Sequence, residues 1–378
     1  MTNVFLYGTL CHPDLLELVA GCEWTVLGPE PVVCHGYRVV WAEGHGFPLI
    51  LEAQGSAASG LLLRDVAQHV LERLNYYELG FGYDLVEVEV ESAAGREPAK
   101  VYIPQPGLWQ AGAPWSLEDW VQKCWPLTRH SAGEVMGYFG VLSGEEVAQR
   151  FKMILTRAAS RVLAEEEAKP ASVRSNRGRG AVTLEQREAN HRGFFLLNTL
   201  SLSHERFDGA MSETLQREVF VAGDAATVLP YDPVRDRVLL IEQFRMGPYE
   251  RGDKAPWMLE PIAGRIDGFE TPRSTAEREA VEEAGLRLER LEPIASYYGT
   301  PGYSTEMFYS FIGIADLPKS AAGMGGVEDE HEDIRSHVVS FNDAMALIDS
   351  GEANNGPLIL SLLWLAKERA RLMAQARG

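Results

Sequence analysis

Hydrophobic and polar residues alternate along parts of the first half of the chain, as they do in strands with one buried face. Leu85 to Glu91 places an apolar residue at every second position, and a second apolar-rich run covers Lys100 to Ile103. Turn-forming residues lie between them at Ala93 to Arg96, so the pattern predicts a β-hairpin. A short strand is predicted over Val4 to Leu6, and apolar residues at helical spacing predict one helix from Glu145 to Ala168. This half is expected to be of the α+β class.

The second half begins with strands and then carries one strongly marked helix. Thr271 is a natural N-cap, Pro272 suits the first helical position, and Gly285 suits the residue after the last one. These signals predict a helix over Pro272 to Ala284, and an amphipathic pattern predicts a final helix from Pro357 to about Met373. The predicted strands before the marked helix cover Phe194 to Leu202, Arg217 to Ala222, Ala226 to Pro230 and Arg237 to Gln243.

A polar stretch between the two halves has the composition of a linker. Residues 169–180 read KPASVRSNRGRG, with Pro and Gly but no apolar periodicity. Its three arginines are not interleaved with aromatic residues, which favours a solvated connector over a phosphate-binding patch. A chain of 378 residues also exceeds the usual ~100–200 residues of one domain. We therefore expect a first domain over 1–168, a linker over 169–182 and a second domain over 183–378.

The chain is acidic, with 35 Lys and Arg against 54 Asp and Glu and a net charge of −19. This charge repels phosphate backbones and anionic lipids, so nucleic-acid and membrane partners are not expected, whereas divalent cations are favoured. No apolar run approaches the ~20 residues of a membrane span, and the four cysteines lack metal-ligand spacing. These features predict a cytoplasmic protein with reduced thiols.

Three glutamates of the marked helix form the candidate chemical centre. Glu279, Glu282 and Glu283 lie at positions i, i+3 and i+4, so their carboxylates share one face of the helix. Like charges at this spacing repel by roughly a few tenths of a kcal/mol per pair. A bound divalent cation reverses that repulsion, so the pattern favours a metal site over an ordinary surface helix.

The spacing around these glutamates resembles the Nudix box. The chain fills every fixed position of G-x5-E-x7-R-E-U-x-E-E-x-G-U between Gly264 and Leu286. The resemblance implies a Nudix hydrolase, which cleaves a nucleoside diphosphate linked to another group with Mg²⁺ or Mn²⁺. It also implies that Arg278 and Glu270 hold the helix and the preceding loop in place. The implied metal ligands are Glu279, Glu282, Glu283 and the backbone carbonyl of Ala263.

The segments around the box resemble the ADP-ribose pyrophosphatase subgroup from about Gly193 to Leu365. Pro301 follows the box by about fifteen residues, where a proline accompanies ADP-ribose preference in that subgroup. The acidic run Glu328 to Asp333 is by itself typical of a solvated loop. This run matches the pattern D-E-x-E-D-I of the subgroup. The resemblance implies that Glu330 is the general base and that Glu332 reaches a metal. A carboxylate suits this role because a metal-bound water is already acidified.

Three further residues match the ADP-ribose contacts of the subgroup: Phe194, Arg217 and Arg245. Aromatic stacking suits adenine, and guanidinium groups suit phosphates. Core packing is the alternative role for Phe194, and surface ion pairs are the alternative for the arginines. The resemblance also implies a homodimer with exchanged N-terminal strands, in which these residues serve the site of the neighbouring subunit.

The first half resembles the γ-glutamylcyclotransferase-like fold over about Thr2 to Leu142. Glu78 matches the acid/base that this family uses for cyclisation to 5-oxoproline, although Asn75 stands where the family usually has Asp and Leu85 where many members have Arg. A structural role for Glu78 is the alternative. The residues that match a loop whose backbone amides bind substrate are Tyr7, Gly8, Thr9 and Leu10.

Together these features predict a γ-glutamylcyclotransferase-like mixed β-barrel of the α+β class, followed by a Nudix α/β/α sandwich. The expected function is Mg²⁺-dependent hydrolysis of the diphosphate of ADP-ribose to AMP and ribose 5-phosphate, with Mn²⁺ as the alternative ion. Three other functions stay open. In the first, the substrate is another ADP-sugar or a dinucleotide. In the second, the Nudix domain is a ligand sensor. In the third, γ-glutamyl cyclisation is the main activity.

Overall fold

The computed structural model describes residues 2–167, 170–326 and 332–377. The chain divides into two units, Met1–Glu166 and Glu167–Gly378, each with its own internal packing. Both units combine helices with sheets, which confirms the predicted mixed α and β character of the chain. Among the helices of the described ranges, none is long and apolar enough to cross a membrane.

A mixed six-stranded sheet forms the framework of the first unit. Its strands are β1 (Thr2–Leu6), β2 (Glu30–Ala42), β3 (Pro48–Val66), β4 (Tyr83–Ser92), β5 (Gly95–Pro104) and β6 (Ala111–Pro114). They pair in the order β3-β1-β5-β4-β2-β6, and β2 also pairs with β3. The predicted hairpin is confirmed, because β4 and β5 are antiparallel with Ser92 opposite Gly95. β1 lies parallel to β5 and carries the first residues of the candidate loop to the end of the sheet.

Seven helices accompany this sheet: α1 (Pro13–Ala20), α2 (Trp24–Leu27), α3 (Gln68–Leu79), α4 (Leu117–Lys123), α5 (Trp125–Met136), α6 (Gly144–Gln149) and α7 (Phe151–Glu166). The prediction of one helix from Glu145 to Ala168 is wrong, because the chain breaks at Arg150 (φ −97°, ψ 0°) between α6 and α7. Val147 and Ile154 on either side are both fully buried. The apolar spacing therefore runs through the break and does not reveal it.

The second unit contains two sheets. A three-stranded antiparallel sheet consists of β7 (Val182–Arg192), β8 (Leu196–His204) and β9 (Leu215–Val221). An eight-stranded sheet consists of β10 (Ala225–Asp232), β11 (Arg237–Phe244), β12 (Trp257–Glu260), β13 (Ile262–Arg265), β14 (Arg290–Tyr298), β15 (Met307–Ile314), β16 (Met324–Gly325) and β17 (Ile334–Ser340). β10 is buried along its whole length and lies parallel to β15. β7 was not predicted, because nearly all of its side chains are exposed and it therefore lacks apolar alternation.

The described part of the second unit has four α-helices: α8 (Met246–Arg251), α9 (Pro272–Ala284), α10 (Phe341–Ser350) and α11 (Gly356–Gln375). α9 has the predicted bounds. The Thr271 hydroxyl accepts a hydrogen bond from the Ser274 backbone N–H, and Gly285 adopts the left-handed conformation (φ 62°) that ends the helix. Ala276 and Ala280 are fully buried, and this small-residue face lets α9 approach β10 and β13 closely. α9 thus holds its glutamates beside β10 and β13.

Candidate active site

β13, the strand that leads into the loop before α9, passes so close to the helix that a side chain at position 264 would collide with Glu279. A Cβ atom on Gly264 would lie 1.7 Å from Oε1 of Glu279 and 2.0 Å from its carboxyl carbon. Glu279 is buried, with 8% of its surface exposed. The absent side chain therefore provides the space in which the Glu279 carboxylate is held between loop and helix.

The Arg278 guanidinium ties this loop to α9. Its Nε donates to Oε1 of Glu270 at 2.8 Å, and its Nη2 donates to Oε2 of Glu270 at 3.1 Å and to the Arg265 carbonyl at 3.3 Å. Its Nη1 donates to Oε1 of Glu279 and to Oε2 of Glu282, both at 2.7 Å. Burial opposes ionisation of Glu270, but the hydrogen bonds from Arg278, from Thr275 and from the Asp267 backbone N–H, together with the charge of Arg278, hold the pKa of Glu270 below its ordinary value. The predicted holding role of Arg278 and Glu270 matches this geometry.

Two carboxylates of α9 lie in an environment that disfavours their charge. Burial raises the pKa of Glu279 to about 7, although Arg278 opposes the shift. Burial raises the pKa of Glu283 to about 9, and the charges of Glu279 and Glu332 add to it. Oε2 of Glu283 accepts a hydrogen bond from the Ala263 backbone N–H at 3.2 Å, which orients the carboxylate at the end of β13. A cation beside these oxygens would stabilise their ionised forms, and carboxylate oxygens are the donors that hard divalent cations prefer.

The predicted ligands are only partly brought together. Glu332 lies close enough for its charge to act on Glu279 and Glu283. Over residues 2–167, 170–326 and 332–377, no three His, Cys, Asp or Glu side chains are placed to hold an ion. Glu279 and the exposed Glu282 each form an ion pair with Arg278 at 2.7 Å. The candidate general base, Glu330, falls outside the described residues. The donor chemistry fits a divalent cation, and the ligand set stays a prediction.

The candidate substrate residues lie on separate segments of the second unit. Nε of Arg245 donates to Oε2 of Glu260 at 2.7 Å, so Arg245 does form the ion pair considered as its alternative role. The positive charge of Arg245 also lowers the pKa of Glu283 and so opposes the effect of burial. Arg245 therefore lies near this buried carboxylate. Arg217 is exposed on β9, and Phe194 is half-exposed in the turn between β7 and β8, which argues against core packing for Phe194.

The turn that contains Pro301 is fastened to β9. The Phe220 backbone N–H donates to the Tyr303 carbonyl at 2.7 Å, and the Thr305 N–H donates to the Phe220 carbonyl at 3.0 Å. Pro301 is exposed in this turn. These bonds bring the Pro301 turn and the strand of Arg217 to the same side of the unit.

Two residues of this region were missed as site candidates. Glu306 ends the Pro301 segment, and burial raises its pKa while the charges of Arg265 and Arg245 oppose the shift. The guanidinium of Arg265 lies 4.5 Å from the ring centroid of Phe194, within cation–π distance. Glu306 could have been suspected from its place in the Pro301 segment. Arg265 stands at a variable position of the box and gives no sequence signal.

The candidate residues of the first unit also come together. Tyr7 directly follows β1, and after Gly8 comes a single turn of 3-10 helix over Thr9–Cys11, in which Leu10 is buried. A Cβ on Gly8 would lie 2.5 Å from Cγ of Pro48, so the turn packs tightly against the start of β3. Burial raises the pKa of Glu78, near the end of α3, to about 7. The tyrosines whose pKa the Glu78 charge raises further are Tyr7, Tyr77, Tyr83 and Tyr102.

One of the two positions at which the first unit departs from the family motif, Asn75, has a defined partner. Oδ1 of Asn75 accepts a hydrogen bond from the Tyr102 hydroxyl at 2.8 Å. Asn75 precedes Glu78 by three residues on α3, so both lie on one face of that helix. The Tyr102 hydroxyl therefore donates its hydrogen to Asn75. An Asp at position 75 would also accept this hydrogen bond.

Comparison with known proteins gives separate matches for the two units. A family model for gamma-glutamyl cyclotransferase, AIG2-like, matches residues 4–122, and a model for the NUDIX domain matches residues 222–362. The chain is 41% identical over 197 residues to the ADP-ribose pyrophosphatase of Escherichia coli strain K12, covering 52% of this chain and 93% of that protein. It is 36% identical over 184 residues to the ADP-ribose pyrophosphatase of Haemophilus influenzae (48% and 84%). It is also 34% identical over 173 residues to the GDP-mannose pyrophosphatase of Escherichia coli O1:K1 (46% and 88%).

Proposed function

The chain belongs to the NUDIX family, with a gamma-glutamyl cyclotransferase, AIG2-like domain before the NUDIX domain, and we propose that its second unit hydrolyses ADP-ribose to AMP and ribose 5-phosphate. The observation that carries this proposal is the arrangement of Glu279 and Glu283, two buried carboxylates on a helix that Arg278 fastens to Arg265 and Glu270 in the preceding segment. The match to an ADP-ribose pyrophosphatase over 93% of its length supports the choice of substrate.

The proposed cofactor is Mg²⁺, with Mn²⁺ able to replace it. Glu279, Glu283 and Glu332 would hold it together with Glu282 and the Ala263 carbonyl. When bound, a divalent cation neutralises diphosphate oxygens and makes a neighbouring water more acidic. The raised pKa values of Glu279 and Glu283 support this assignment, because the buried carboxylates lack enough positive charge nearby.

The proposed reaction needs one water and no further reactant. The water oxygen forms a bond to one phosphorus, the bond from the bridging oxygen to that phosphorus breaks, and the bridging oxygen leaves on the other phosphate. A carboxylate accepts the proton of the water, and we assign this role to Glu330 on the family pattern. Arg278 does not touch the substrate in this scheme. It keeps the loop and the helix at the separation that the carboxylates require.

Substrate binding is assigned to the residues around this centre. We propose that Phe194 stacks on adenine and that Arg217 and Arg245 bind phosphate oxygens, with the Pro301 turn forming one wall. We also propose a homodimer through the NUDIX unit, in which Phe194 and Arg217 act in the site of the neighbouring subunit. The exposed apolar side chains of the three-stranded sheet support this assembly, since Val182 and Leu184 on β7 are 44% and 45% exposed.

The finer fold assignments follow the same reasoning. We propose that the first unit is a mixed β-barrel, supported by the pairing of β2 with β3, which joins the two ends of the strand series β3-β1-β5-β4-β2. We propose an α/β/α sandwich for the NUDIX unit, with α9 and α11 both packed on the strands of its large sheet.

Release of AMP from ADP-ribose tests the main proposal. With Mg²⁺ present, the full-length chain should release AMP, and Glu283→Gln should reduce kcat by about two to four orders of magnitude, as expected when a metal-binding or proton-accepting carboxylate is neutralised. Glu277→Gln is the matched control, because Glu277 lies on the same helix but is exposed and pairs with Arg273 at 3.7 Å. No AMP release, or equal activity of Glu283→Gln and wild type, would reject the proposal. GDP-mannose and a dinucleotide belong in the same assay, and a higher kcat/KM for either would reassign the substrate.

A second activity is favoured by the surroundings of Glu78. A buried carboxyl with a pKa near neutrality, beside the Tyr7 loop, suits an acid/base for γ-glutamyl cyclisation. We propose that the first unit releases 5-oxoproline from γ-glutamyl amines. Glu78→Gln should abolish this release and leave AMP release unchanged, whereas Glu283→Gln should do the reverse. Retention of 5-oxoproline release by Glu78→Gln would leave Glu78 with a structural role.

A further inference from the structure

Two adjacent glycines separate the helix of the box from the Glu332 segment. Gly325 belongs to β16, which pairs antiparallel with β17, and Gly325 lies opposite Ile334. A Cβ atom on Gly325 would lie 2.0 Å from the carbonyl oxygen of Glu283 and 2.9 Å from its carbonyl carbon. Both atoms belong to the backbone of α9 and cannot rotate aside as a side chain would. Any larger residue at position 325 must move β16 away from α9.

Gly326 approaches Glu332 closely. A Cβ there would lie 2.9 Å from Cβ of Glu332 and 2.9 Å from its carbonyl oxygen, and Gly326 has a φ of +99°, which L residues rarely adopt. One glycine therefore contacts the backbone of Glu283, and the next contacts Glu332. The pair fills the space between the residues that carry these two carboxylates.

Gly323, which directly precedes β16, is bonded to Ser336 and not to α9. The Gly323 backbone N–H donates to Oγ of Ser336 at 2.9 Å, and the Ser336 N–H donates to the Gly323 carbonyl at 2.8 Å. A Cβ on Gly323 would meet no atom within 4 Å. A third glycine thus lies two residues from Gly325 and is free of the same packing demand.

We propose that Gly325 and Gly326 are positioning residues that set the separation between Glu332 and Glu283, so that both carboxylates can bind one divalent-cation centre. This inference rests on the proposed metal-dependent function. Oxygen ligands bind such cations at about 2.0–2.6 Å, with little tolerance. Gly325→Ala needs β16 to move by roughly an ångström to relieve the contact at 2.0 Å. A displacement of that size is enough to take Glu332 out of ligand distance.

Binding of Mn²⁺ to the full-length chain, measured by electron paramagnetic resonance and calorimetry, tests this role without relying on activity. Gly325→Ala should raise the Kd for Mn²⁺ by about tenfold or more, as changes beside metal ligands typically do. Gly323→Ala should bind like wild type. Glu332→Gln should weaken binding similarly, and the double variant Gly325→Ala with Glu332→Gln should bind no more weakly than Glu332→Gln alone. Such non-additivity shows that Gly325 acts through Glu332. General loosening of the fold would give additive effects instead.

Gly326→Ala provides a second test if Gly325→Ala does not fold. Wild-type Mn²⁺ affinity in a folded glycine variant, additive effects in the double variant, or unchanged affinity in Glu332→Gln would overturn the inference. Loss of the cooperative thermal transition in both glycine variants, with Gly323→Ala folded, would also overturn it, because the glycines would then serve the fold itself. A wild-type chain that binds Mn²⁺ but releases no AMP rejects the proposed substrate instead, and the Mn²⁺ comparison still decides the role of the glycines.

Discussion

The carboxylate of Glu279 occupies the position that any side chain at Gly264 would need, with its Oε1 only 1.7 Å from where that Cβ would lie. Gly264→Ala must therefore displace either the loop or a buried carboxylate that we assign to the cation. We expect kcat for ADP-ribose to fall by at least about a hundredfold, in the range found when a reacting group is displaced by about an ångström. Steady-state kinetics measures this, and Gly247→Ala is the control, since its Cβ would meet nothing within 4 Å. Activity within a few-fold of wild type in Gly264→Ala would contradict the expectation.

Replacing Arg278 by lysine should distinguish the effect of its positive charge on stability from the effect of its planar guanidinium geometry. Lysine keeps the positive charge but cannot reach Glu270, Glu279 and the Arg265 carbonyl at once, because it lacks the planar fork of the guanidinium. We expect the second unit to lose about 2–4 kcal/mol of unfolding free energy, from two or so charge-assisted hydrogen bonds. Denaturant unfolding measures the loss. Arg273→Lys, on the same helix but 54% exposed at its side chain, should stay close to wild type, and an equal loss in both variants would argue against a special role for Arg278.

The stability of the first unit should depend on pH through Glu78. Burial raises its pKa from 4.5 to about 7, so the folded unit holds the proton more tightly than the unfolded chain does. The contribution of Glu78 protonation to the free energy of unfolding is full below pH 4.5 and declines as the pH rises toward 7. It amounts to at most about 3 kcal/mol. Glu78→Gln should remove this decline, so its advantage over wild type should be larger at pH 8 than at pH 5.

Urea unfolding at the two pH values checks this expectation. Tryptophan fluorescence reports mainly on the first unit, because its residues Trp24, Trp41, Trp109, Trp115, Trp120 and Trp125 are six of the 8 tryptophans. Glu72→Gln on the exposed side of α3 is the control and should show the wild-type dependence. A parallel shift of Glu78→Gln at both pH values would mean that Glu78 ionisation is not linked to folding.

A buried ion pair joins α5 to α7 in the first unit. The side chains of Arg157 and Glu134 are 1% and 6% exposed, and Nη2 of Arg157 lies 2.5 Å from Oε1 of Glu134. Arg157→Met leaves a buried carboxylate without its main partner, so we expect a loss of about 3–5 kcal/mol. The double variant Arg157→Met with Glu134→Met should recover much of this loss, because both charges are then removed. Arg161→Met should have little effect, since Arg161 is 39% exposed and lies 3.9 Å from Glu134.

The parts of the fold that sequence predicts well are those with strong local signals. α9 was predicted to the residue because Thr271, Pro272 and Gly285 each favour one position at a helix end. The break at Arg150 was missed because buried residues continue at helical spacing across it. β7 was missed because an exposed strand carries no apolar alternation. Local sequence patterns do not predict the break at Arg150 or the strand β7, because tertiary packing determines both.

The same distinction applies to the candidate site. The spacing of the box was sufficient to identify Glu279, Glu283 and Arg278 as a group, and the structure brings these three together. It was not sufficient to reveal that Arg278 also binds Glu282, which depends on side-chain conformation. The stacking of Arg265 on Phe194 joins residues 71 positions apart, and no pattern within one segment reports such a contact.

The hydrogen bonds of Arg278 have a consequence for the thermodynamics of cation uptake. The Arg278 guanidinium orders the loop between Arg265 and Glu270 against α9, so the conformational entropy of that loop is lost on folding and not on ion binding. In metal sites that fold only around their ion, chelation and denaturation are one event. Here the backbone of the site is already fixed, so a chelator should stop hydrolysis and leave the NUDIX unit folded.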